Sequence, residues 1–73
     1  MSAFNKTALR VKMLESSCTV KELSQVLDIS KGALYRRLNG QVFFTVPEVI
    51  ACSKHLNLTN EERDQIFFNH DVA

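Results

Sequence analysis

Glycine, proline, cysteine and net charge are all scarce in this chain: two glycines, one proline, two cysteines and a formal charge of +1 over 73 residues. So little glycine and proline, set against 45% hydrophobic and 23% charged residues, excludes a disordered chain and predicts a packed, soluble domain. Cys18 and Cys52 form no C-x-x-C pair, lie in apolar contexts and come without a secretory signal. They read as reduced core residues of a cytosolic protein. The first residues, MSAFNKTALRVK, hold no apolar run of the length of a signal peptide or membrane span, which places the chain in the cytoplasm without a membrane partner. Repeats, linkers and low-complexity segments are absent too. One domain, residues 1–73, is expected, with a core worth roughly 3–5 kcal/mol of net stability.

Catalytic signals are missing as well. No serine has the surroundings of an activated nucleophile, and no glycine-rich loop could cradle a phosphate. His55 and His70 are separated by a helix boundary and lack cysteine or carboxylate neighbours at ligand spacing. Neither an enzyme, a metal site nor a cofactor is expected.

What is present is helix punctuation. Asn5 caps a first helix running to about Ser16, with Leu9 and Met13 facing inward and Phe4 folding back onto the domain. Thr19 with Glu22 makes a capping box for a second helix, Cys18 and Leu23 its apolar staple, and Leu23, Val26 and Leu27 its buried face. Asp28 suits the left-handed turn that follows. Ser30 caps a third helix whose Leu34 and Leu38 point one way, while Gly32, Tyr35, Arg36 and Asn39 fall opposite; Gly40 ends it. Thr45 with Glu48, and Pro47 in the first turn, open a fourth helix with a face of Val46, Val49, Ile50, Ser53 and Leu56. Thr59 with Glu62 opens a fifth, with Ile66 and Phe67 as its apolar pair. The only β-like run, QVFFTV, is too isolated to build a sheet. The fold expected is an all-α, compact five-helix bundle.

Charge is unevenly spread. Residues 1–40 carry seven basic against three acidic residues, +4, and residues 41–73 carry two against five, −3. The third helix holds Lys31, Arg36 and Arg37 and no acidic residue. A basic face for an anionic partner is the reading this asymmetry supports.

The stretch TVKELSQVLDISKGALYRRLNG, Thr19–Gly40, resembles the helix-turn-helix of the lambda repressor and Cro family. With the following FT loop, PEVI and LNLTNEERDQIFF, the chain from Leu9 to Phe68 is similar to the small phage and prophage regulators of Gram-positive bacteria. The resemblance implies that Leu23, Ser24, Ile29, Leu34 and Leu38 are core positions, Ser24 being the small residue where two helices cross. It implies that Ser30, Lys31, Gly32, Tyr35, Arg36 and Asn39 face DNA. Val20 stands where the family often has a phosphate-contacting glutamine, and Arg37 where many members have an apolar or aromatic residue.

On double-stranded operator DNA, Arg36 would read guanine, Asn39 adenine or a phosphate, and Tyr35 a phosphate or a thymine methyl, while Lys21, Lys31 and Arg37 would contact phosphates. A symmetric homodimer on a near-palindromic site is the expected form, with Val42 and Phe68 at a subunit contact. Operator binding is the leading reading; the low net charge, Val20 and the four phenylalanines of the second half motivate a rival: an antirepressor, or modulator of repression, that pairs with a phage repressor protein and covers its DNA-reading surface, with Tyr35 and Arg36 as anchors.

Overall fold

The computed structural model describes residues 4–68, folded into five α-helices and no strand: α1 Lys6–Glu15, α2 Val20–Leu27, α3 Lys31–Leu38, α4 Val46–His55 and α5 Asn60–Phe67. Each begins where a side-chain oxygen accepts an otherwise unpaired backbone N–H, from Asn5, Thr19, Ser30, Thr45 and Thr59 in turn. At α4 and α5 the capping box closes, because the carboxylates of Glu48 and Glu62 accept the N–H of Thr45 and Thr59 at 3.0 and 2.9 Å. At α2 it closes by half. Thr19 accepts from the Glu22 N–H, but the Glu22 carboxylate leaves its own helix and meets His55 at 2.6 Å.

Leu9, Leu23, Leu34, Leu38, Cys52 and Ile66 are fully buried, with Met13, Cys18, Leu27, Val49, Leu56 and Phe67 around them. α2 packs against α3 and α4, while α5 packs against α1 and α4. The two ends of the described chain are joined where the Asn5 N–H donates to the Ile66 carbonyl at 2.8 Å. Phe4 folds back as expected and sits 5.3 Å from the Phe44 ring and 6.0 Å from the Phe67 ring, centroid to centroid. No described helix is long and apolar enough to cross a membrane.

Two predicted faces are rotated. In α2 the inward residue beside Leu23 and Leu27 is Ser24, and Val26 is exposed. The burial of Ser24 is tolerated because its hydroxyl donates to the Lys21 carbonyl at 2.8 Å, and its small side chain lets a neighbouring helix approach. In α4 the inward residues are Val49, Cys52 and Leu56, whereas Val46 and Ile50 are exposed. Packing of α4 between α2 and α5 selects that stripe. Both cysteines are buried and free, as expected.

Candidate functional site

The α2–α3 turn is set by one left-handed residue. Asp28 has φ 57°, ψ 44°, and its N–H and that of Ile29 return to the carbonyls of Gln25 and Ser24. Ile29 tucks against the core, and Ser30 then starts α3 by accepting the Ala33 N–H at 3.0 Å. Its hydroxyl proton is left to donate. Leu34 and Leu38 anchor the helix, and the same rotation leaves Lys31, Gly32, Tyr35, Arg36 and Asn39 exposed. These five and Ser30 are the residues anticipated for the recognition face, and α3 brings them together at i, i+3 and i+4 spacing.

The charge on that face is uncommitted. Among the described residues, neither Lys31, Arg36 nor Lys21, exposed in the first turn of α2, has an ion-pair partner. Arg36 reaches back over Gly32: a Cβ built on Gly32 would lie 3.8 Å from Arg36 Nη1 and 4.0 Å from Ser30 Oγ. Those are ordinary van der Waals separations, so nothing inside the fold requires glycine there.

Arg37, anticipated as a phosphate contact, is engaged within the fold. Its Nε donates to Glu48 Oε1 at 2.9 Å and its Nη1 to the Ala33 carbonyl at 3.1 Å, and the two charged side chains are only 15% and 11% exposed. The guanidinium binds α3 to the first turn of α4. Val20 is likewise absorbed inward, packed on the core.

Beyond α3 the chain turns at Gly40, φ 83°, and the N–H groups of Gln41 and Val42 return to the Arg36 carbonyl. The loop then exposes Val42 and, at 79%, Phe43, while Phe44 turns in against Phe4 and Phe67. With Phe68, also exposed, these residues edge an apolar hollow of about 250 Å³. Val42 and Phe68 were anticipated as surface residues; Phe43, more exposed than either, was not. The two phenylalanines are adjacent in a loop, and nothing local says which turns in.

A second cluster was missed altogether. Cys18 Sγ, a Glu22 carboxylate oxygen and a ring nitrogen of His55 all lie within 4.8 Å of one another. The expectation that His55 lacks cysteine or carboxylate neighbours is therefore overturned: α2–α4 packing supplies both from positions more than thirty residues away. Burial, and then the Glu22 charge, pushes the Cys18 thiol upward, and burial with the neighbouring Cys18 pushes Cys52 up to about 12. Both are held as thiols rather than thiolates. His70 lies outside the described residues.

Comparison of the chain with models of protein families, with curated proteins and with solved structures gave no match.

Proposed function

We propose that this chain is a cytoplasmic phage or prophage transcriptional regulator of the Cro-like helix-turn-helix kind, which binds operator DNA through α3 and controls a lysogenic–lytic switch. The observation that carries this reading is the exposed face of α3, where unpaired Lys31 and Arg36 flank a glycine the fold does not need. A helix with its side chains is about 10–12 Å across, which fits the roughly 12 Å width of the major groove. Gly32 in the first turn leaves the backbone free to approach base edges. Arg36 is the residue for paired hydrogen bonds to guanine, Asn39 for adenine or a phosphate, and Tyr35 for a phosphate or a thymine methyl. Lys21 and Lys31 supply phosphate contacts, with the proton of Ser30 available for another. Binding as a symmetric homodimer fits a near-palindromic site.

The test is a fluorescence anisotropy titration against the DNA flanking the protein's own gene, with salt varied. Sequence-preferring, salt-sensitive binding at micromolar protein or below is expected. Binding that shows neither property rejects the proposal.

One observation favours a second reading. Phe43 and Val42 expose apolar surface just past the end of α3, and bare aromatic surface suits a protein partner better than a phosphate backbone. On that reading the chain is an antirepressor that binds a phage repressor protein through α3 and the following loop. Co-purification with the repressor encoded beside it discriminates, and failure to associate counts against it.

A further inference from the structure

The T-x-x-E motif occurs at Thr19–Glu22, Thr45–Glu48 and Thr59–Glu62. In the second and third, glutamate turns back to its own helix; in the first it turns away, toward His55 and Cys18. The carboxylate that breaks this pattern is the one beside a thiol and an imidazole.

We propose that Cys18 Sγ, Glu22 Oε2 and His55 Nε2 form a binding site for a zinc-class divalent ion, with water as fourth ligand. Thiolate, imidazole and carboxylate are the donor set that such an ion takes in tetrahedral sites. Bonds of about 2.0–2.3 Å set tetrahedral ligand atoms roughly 3.3–3.8 Å apart. Here His55 and Glu22 stand at 2.6 Å and all three atoms lie within 4.8 Å, so side-chain rotation of an ångström or so completes the geometry without moving a helix. Cys18 is buried, and among the described residues its thiol donates only to the Thr19 carbonyl, a long contact of 3.7 Å. His55 and Glu22 side chains are 31% and 47% exposed, which gives the ion a path from solvent and room for its water. The charges balance: a divalent ion meets one thiolate and one carboxylate. On binding, the sulfur–metal bond forms as the Cys18 S–H bond breaks and that proton passes to buffer. The Nε2–metal bond forms as the hydrogen bond to Glu22 opens and the imidazole moves its single proton from Nε2 to Nδ1, so one proton is released in all. The ion would join the start of α2 to the last turn of α4, so its binding energy would be stability of the helix-turn-helix.

The experiment is titration of the reduced, untagged chain with cobalt(II), followed by thiolate-to-cobalt charge transfer in the near ultraviolet and ligand-field bands in the visible, with proton release measured alongside. One cobalt per chain, a tetrahedral spectrum and one proton released are expected, with zinc displacing cobalt and raising Tm. Glu22→Gln and His55→Gln change half-exposed side chains and leave the core intact. Each should weaken cobalt binding by more than the roughly tenfold that loss of a ligand's supporting hydrogen bond costs. Cys52→Ala and His70→Ala should retain the spectrum. Absence of the charge-transfer band in the wild-type chain, its persistence in both Glu22→Gln and His55→Gln, or its dependence on Cys52 or His70 would each overturn the site.

Discussion

Gly32→Ala separates what the fold needs from what a partner needs. The added methyl meets Arg36 Nη1 at 3.8 Å and Ser30 Oγ at 4.0 Å, contact without clash, and the glycine does not sit in left-handed backbone. Glycine inside a helix costs about 0.5–1 kcal/mol relative to alanine, and a first-turn position takes the lower end. The variant should therefore be more stable by about 0.5 kcal/mol. For a domain of this size, 1 kcal/mol moves Tm by roughly 4–8 °C, so the expected rise is about 2–4 °C. Binding should move the other way. On the proposed function the methyl projects where the backbone would meet base edges, and a loss of about 1.4 kcal/mol corresponds to tenfold in affinity. Thermal melts followed by circular dichroism and anisotropy titrations on an operator fragment measure the two effects independently. A higher Tm with unchanged affinity would show that no partner approaches this face closely, and a lower Tm would show that the fold itself requires the glycine.

Arg36→Ala should leave Tm within error, since the side chain makes no ion pair among the described residues, yet cost about 1–3 kcal/mol of the proposed operator binding and relax sequence preference at one position; unchanged binding would move the recognition face elsewhere. Arg37→Ala should do the reverse, because it strips Glu48 and the Ala33 carbonyl of a largely buried donor. A destabilisation of about 1–3 kcal/mol is expected in urea unfolding, with intrinsic affinity preserved where the variant is folded; loss of affinity in the folded variant would return Arg37 to the contact set. The hydrogen bond from Lys12, and then the Thr59 N–H, hold the Glu62 carboxyl below its ordinary 4.5 in the folded state. Its contribution is thus complete above that ordinary value and is lost as pH falls through the lowered folded one. Glu62→Gln should flatten the acid limb of a Tm-against-pH series, and parallel limbs would contradict the assignment.

Local chemistry made much of this fold legible. Asn5, Thr19, Ser30, Thr45 and Thr59 mark helix starts because a cap needs only residues three positions apart, and Asp28 marks the turn because few residues accept its left-handed backbone. The outward face of α3 was legible from its two leucines. The edges of the inward stripes were not: Ser24 and Cys52 read as core from the sequence, but Val26, Val46 and Ile50 read as inward too, and their exposure is decided by which helix lies alongside, as is the inward turn of Phe44 rather than Phe43. Partners distant in sequence were hidden for the same reason. Glu48 takes Arg37 from across a loop, and His55 takes Glu22 from another helix.

Glu48 Oε1 accepts both the Thr45 N–H, at 3.0 Å, and Arg37 Nε, at 2.9 Å. A single oxygen therefore pins the end of α3 and the beginning of α4, and the segment between them, with Val42 and Phe43 at its crest, is an arch on fixed footings. Such an arch can diverge in sequence, even lengthen at its crest, without re-aiming the helix beside it. The apolar surface it displays is in that sense independent of the framework that carries it.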